Sequence, residues 1–115
     1  MKICFSASEQ DKKSILDPRF GRCLYFLIFD DKSQKWTAVS NQAAAAFRGA
    51  GVSAAQRVVS LGCKIIVTGN MGPNAFNVTN ASGIKVYLGD LEKSIADNLK
   101  IYKEGKLSAL SALEE

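Results

Sequence analysis

Residues 65–76, Ile-Ile-Val-Thr-Gly-Asn-Met-Gly-Pro-Asn-Ala-Phe, constrain the fold of this chain more than any other stretch. A β-branched run that ends in Gly69-Asn70-Met71-Gly72 and continues into Pro73 reads as a buried strand, a tight corner and the first turn of a helix. Pro73 suits the first helical position, because the N–H it lacks would have had no partner within the helix. Backbone N–H groups at such a corner point past the carboxyl end of the strand, where the helix dipole favours an anion. Glycine corners of this kind also recur in α/β proteins that bind nothing there, so the corner alone leaves both readings open.

The flanking pattern supplies the rest of the fold. In residues 2–7, Ile3, Phe5 and Ala7 alternate with Lys2, Cys4 and Ser6, a strand of period two with Cys4 as a small buried hydrophobe on the second face. Residues 24–30 form a nearly all-apolar strand, 31–34 a short turn, and 35–40 the antiparallel return, with Trp36 packed on the sheet. Val52, Ala55, Val58 and Val59 have the spacing of an amphipathic helix over 52–61, closed by Gly62. Beyond the central corner come a short helix over 74–82, a strand over 84–88, and a helix striped by Leu91, Ile95, Leu99 and Tyr102, with Asp90 as its cap. This order predicts an α/β fold: a mixed five-stranded sheet, parallel in its later part, flanked by helices. Residues 1–105 make one domain. Residues 106–115, with leucines at 107, 110 and 113, form a tail that is flexible or docks on the domain or on a partner.

Two loops carry the remaining chemistry. In Asp17-Pro18-Arg19-Phe20-Gly21-Arg22-Cys23, Asp-Pro opens a turn and Gly21 loosens the backbone, so two guanidiniums are held on a short constrained loop. They serve either as an anion clamp or, through Asp17, as an ordinary ion pair. Residues 41–51 are undecided between helix, for their four alanines, and loop, for Asn41, Gly49 and Gly51. Phe47 and Arg48 are the large groups of that segment, able to close over a site or to pack on the edge of the domain.

Composition removes several function classes. The chain has no histidine, which excludes imidazole metal ligation and the Ser-His and Cys-His nucleophile pairs. Three cysteines, none in a CxxC pair, argue against a disulfide framework and a cysteine-rich zinc or iron–sulfur site. A net charge of +4 favours an anionic partner, yet no basic run or basic-aromatic interleaving marks a nucleic-acid surface. No run approaches the roughly 20 apolar residues of a membrane span, and the first residues run straight into a strand, so a cytoplasmic location is expected.

Taken together, Asp17-Pro18-Arg19-Phe20-Gly21-Arg22, Gly49-Ala50-Gly51 at a helix start, residues 68–76 and Gly83-Ile84-Lys85-Val86-Tyr87 resemble the dinitrogenase iron–molybdenum cofactor-binding family of the NifX and NifB C-terminal type. The likeness spans about residues 1–105 and is nearest to small single-domain members that carry a mixed molybdenum–copper sulfide cluster. It implies a ribonuclease H-like fold without nuclease chemistry, and a non-catalytic protein that binds a molybdenum–copper sulfide or related molybdenum or iron–sulfur cluster for storage, assembly or delivery. Some relatives use a histidine ligand, which this chain lacks. A thiometallate anion is instead held by charge, backbone N–H groups and apolar walls. On this reading Arg19 and Arg22 supply charge, and Gly69, Asn70, Met71, Gly72 and Asn74 form the corner. Phe20 and Met71 are soft walls, Phe47 and Arg48 close the pocket, and Cys23 and Cys63 are candidate copper ligands. The other reading is an interaction module acting through P-loop ATPases of the MinD type, with the leucine tail as docking segment; on either reading a monomer or weak dimer is expected. An enzyme acting on a phosphorylated metabolite is disfavoured for want of a base.

Overall fold

A computed structural model describes residues 1–111. Among them a single sheet of six strands runs in the order β3-β2-β1-β4-β5-β6. In chain order the strands are β1 (Lys2–Ala7), β2 (Tyr25–Asp30), β3 (Lys35–Ser40), β4 (Cys63–Thr68), β5 (Lys85–Leu88) and β6 (Ser108–Ala109). Helices α1 (Ala50–Ser60), α2 (Pro73–Ala81) and α3 (Ile95–Lys103) complete the fold, with a 3-10 turn at Gln42–Ala45. β1 runs antiparallel to β2 and parallel to β4, β4 runs parallel to β5, and the outer strands β3 and β6 are antiparallel to their neighbours. This is the mixed sheet the element order predicts, of the ribonuclease H-like kind the family resemblance implies, with one strand more than the expected five.

The sixth strand comes from the segment read as a leucine-striped tail. Leu88 pairs with Ser108 and Tyr87 with Ala109, and the Leu110 N–H donates to the Val86 carbonyl at 2.8 Å. On a strand, side chains three positions apart lie on opposite faces. Leu107 accordingly packs against the cluster on the α3 side and Leu110 against the cluster on the other. The step of three therefore reflects a two-faced strand and not a helix; Leu113 lies outside the described residues.

Both faces of the sheet are covered, which explains why β1, β2 and β4 are apolar nearly throughout. On one face Cys4, Phe26, Ile66 and Val86 meet Ala54, Ala55 and Val58 of α1 and Ala75 and Phe76 of α2. On the other, Ile3, Phe5, Leu27, Ile65 and Val67 meet Ile95 and Leu99 of α3. The last helix begins later than its stripe implied. Asp90 accepts from the Glu92 N–H in a turn, and the Ser94 hydroxyl oxygen caps α3 by accepting from the Asp97 N–H at 3.0 Å. Buried Asn98 replaces the missing turn of helix: its side chain accepts from the Asp90 N–H and donates to the Asp90 and Ser94 carbonyls.

Candidate functional site

The chain leaves β1 toward β2 on one side and leaves β4 toward β5 on the other, so the carboxyl ends of these two parallel neighbours form a topological switch point. Such points open the crevice in which α/β sheets bind ligands. The loop after β1 holds Asp17 to Arg22, and the loop after β4 holds Gly69 to Gly72.

The two loops are joined. Arg19 and Asn70 form a parallel β-bridge, and the Phe20 N–H donates to the Asn70 carbonyl at 3.3 Å. Gly69 makes this contact possible, since a Cβ there would lie 2.6 Å from the Pro18 Cα. Beneath them the Ser6 hydroxyl lies 2.6 Å from the Asp17 carbonyl oxygen and 2.8 Å from the Thr68 hydroxyl, a buried link between β1, β4 and the loop. The Asp17 carboxylate is itself buried; it accepts the Arg19 N–H at 2.8 Å and lies 3.5 Å from Arg19 Nε.

A cleft of about 270 Å³ opens beside this joint, lined by Gly21, Arg22, residues 49–52 and residues 72–75. It lies between the N-termini of α1 and α2. Gly49 and Gly72 are the N-caps, neither helix has a side-chain cap, and neither carries an acidic residue in its first turn. The N–H groups of Ala50, Gly51, Val52, Asn74 and Ala75 thus stand at the positions a helix leaves without intrahelical acceptors, and both dipoles present their positive ends to one volume. Gly49 takes φ 68°, the left-handed turn that brings the chain into α1. Arg22 donates through Nη1 to the carbonyls of Ala44 and Ala46, and its remaining donors have no partner among the described residues. No carboxylate lines the cleft.

The structure distributes the expected site residues unequally. Arg22, Gly72 and Asn74 line the cleft; Gly69, Asn70 and Arg19 form the joint beside it. Phe20 and Met71 are not walls of it. Phe20 is buried against Phe26 with ring centroids 5.4 Å apart, and buried Met71 packs its sulfur 3.8 Å from the Thr79 hydroxyl. Phe47 is 90% exposed, with Arg48 stacked on its ring at 5.8 Å, and neither residue lines the cleft. Cys23 is buried near the loop, donates to the Phe20 carbonyl at 3.1 Å, and has its pKa pushed up to about 12 by burial, so it is a thiol at neutral pH. Cys63 begins β4 and so lies roughly 20 Å from the Gly69 corner, at about 3.3 Å per residue, too far to ligate anything in the cleft.

Gly21 and Gly51, each in a stretch the sequence marked, touch backbone to backbone, and Asn41, which the site reading of the sequence did not include, ties the arginine loop to the end of β3 through bonds to the carbonyls of Gly21 at 3.2 Å and Cys23 at 2.8 Å. Nothing local marked Asn41. A larger groove of about 690 Å³ is lined by residues 39–43, Ser53 and Arg57.

The fold and the cleft define a class: small α/β proteins with an amide-lined cleft at the switch point and, among the described residues, no group of three or more His, Cys, Asp or Glu that could hold a metal ion. The family model for the dinitrogenase iron–molybdenum cofactor matches residues 1–105, and the chain belongs to that family. It is 33% identical over 95 residues to an uncharacterised protein of Methanocaldococcus jannaschii, covering 80% of each chain. The apo form of the orange protein from Desulfovibrio gigas superimposes with a TM-score of 0.90 at 29% identity, covering 96% of this chain and 92% of that one. The NMR structure of a NifB-type protein from Thermotoga, of the DUF35 family, gives 0.86 at 29% identity over 99% and 97%.

Proposed function

We propose that this protein is a non-catalytic carrier of a preformed, anionic molybdenum-containing metal–sulfur cluster, of the molybdenum–copper sulfide or iron–molybdenum cofactor kind, held for storage, assembly or delivery. The observation that carries the reading is the convergence of two uncapped helix N-termini and Arg22 on one cleft without a carboxylate. Backbone N–H groups and a guanidinium are donors without acceptors, the donor set that suits sulfide and oxide surfaces of a polyanion. Family membership and the likeness to the orange protein support the same cargo. Arg19, tethered by Asp17 at the rim, adds charge as the cluster approaches.

The test is to add tetrathiomolybdate and a copper salt to the apo-protein, desalt it, and count molybdenum, copper and iron per chain. Retained molybdenum with a new visible band, lost when Arg19 and Arg22 are changed to Ala, is the expected result; retention no greater than in a buffer control overturns it.

A second reading rests on Phe47. An aromatic 90% exposed with a cation on its face is a natural docking feature, and the partner on this reading is a P-loop ATPase of the MinD type. Phe47→Ala would abolish co-purification with such an ATPase while leaving molybdenum retention intact.

A further inference from the structure

Cys4 and Cys63 take no part in the cleft, and the sheet brings them together at its opposite end. The cause is a register shift in the pairing of β1 with β4: Lys2 pairs with Cys63 but Ile3 pairs with Ile65. In an uninterrupted strand Cys63 would share a face with Ile65, which lies on the α3 side. The extra residue, Lys64, is exposed, and the shift turns Cys63 onto the other face, into the cluster that contains Cys4, Ile66 and Val58. Both thiols are buried in that one cluster, close enough for each to shift the other's ionisation: burial raises the Cys4 pKa, and the neighbouring Cys4 thiol, helped by Lys2, lowers that of Cys63. Both cysteines are free of disulfides.

We propose that Cys4 and Cys63 form a binding site for one soft monovalent cation, with Cu(I) as the fitting ion, independent of the anion cleft. Two thiolates with no third ligand suit Cu(I), which is soft and stable in linear two-sulfur coordination, and are too few for a tetrahedral zinc site. On binding, two Cu–S bonds form, both thiols release their protons to solvent, and copper keeps its oxidation state. The bound unit carries one negative charge. Lys2, opposite Cys63 in the ladder and with Nζ 3.3 Å from the Leu61 carbonyl, is placed to offset it. The apolar neighbours exclude water and oxidant from the metal.

The experiment is an anaerobic titration of the full chain with Cu(I) against bicinchoninate as competing chelator. The wild type is expected to retain one equivalent, with a near-ultraviolet thiolate-to-copper band. Cys63→Ser and Cys4→Val should each weaken retention at least tenfold with the circular dichroism spectrum unchanged, whereas Cys23→Ser and Arg22→Ala retain it. Copper K-edge absorption on the wild-type protein, which needs no variant, should show two sulfur neighbours. No copper retained by the wild type, full retention by a folded Cys63→Ser, or a coordination shell of nitrogen and oxygen overturns the proposal.

Discussion

Gly21 and Gly51 meet backbone to backbone: a Cβ added to Gly21 would lie 2.8 Å from both the Cα and the N of Gly51. The contact presses the arginine loop against the first turn of α1 and closes one side of the cleft. Both neighbouring atoms are backbone, so the clash has no flexible side chain to absorb it. Gly21→Ala should therefore cost about 1–3 kcal/mol, as overpacking does, and weaken molybdenum retention more than the stability loss explains. A denaturant melt paired with the desalting assay checks both. Gly49→Asn is the contrast in stability, because open space surrounds a Cβ there and Asn is among the few residues that visit the left-handed region, so its cost should be smaller than that of Gly21→Ala.

Arg22 is exposed and pairs with carbonyls rather than with a carboxylate, so removing it strands no buried charge. Arg22→Ala should shift stability by less than about 1 kcal/mol. Its effect belongs to ligand affinity, where the loss of a charge-assisted bond of about 1.5–3 kcal/mol lowers cluster affinity ten- to a hundredfold. Equilibrium dialysis with thiomolybdate should show that loss shrinking as salt is raised, because part of the term is screened charge.

The path from sequence to site shows what local pattern can carry. The strand and helix around Gly69 to Gly72 were legible because β-branched residues, a glycine corner and Pro73 agree within one short stretch. The arginine loop was legible for its Asp-Pro and Gly21. The sixth strand was not, since residues 108–109 pair only because β5 offers an open edge. Phe20 and Met71 were misplaced because loop position says nothing about which way a side chain points; each turns inward to the same core cluster. The partnership of Cys4 with Cys63 depends on a one-residue shift in strand pairing, which no residue announces.

Cys23 makes a pH prediction. Its folded pKa of about 12 lies above the ordinary value of 9.0, with burial as the main cause. In the unfolded chain the thiol ionises first, so its contribution to stability is complete below pH 9 and is lost as pH rises from there toward 12. Over that range the wild type should lose stability relative to Cys23→Ala by as much as about 1.4 kcal/mol per pH unit. Urea melts of both proteins at pH 7, 9 and 10 measure the difference.

Phe47 is 90% exposed and carries the Arg48 guanidinium over its ring. Phe47→Ala should leave the thermal midpoint within the range of a neutral surface change, about 0.5 kcal/mol or less. Cluster retention should also be unchanged, and a large loss of either would place the ring against the domain.

The central claim is that the two helix N-termini hold the anion, and backbone amides report on it directly. The measurement is a ¹⁵N–¹H correlation spectrum of the protein as thiomolybdate is added. The account predicts that the largest shifts fall on Gly21, Arg22, residues 50–52 and the amides of Gly72, Asn74 and Ala75, the groups that line the cleft. Shifts confined to the groove beside Arg57 or to the Cys63 end of the sheet, or no shifts at all, would contradict it.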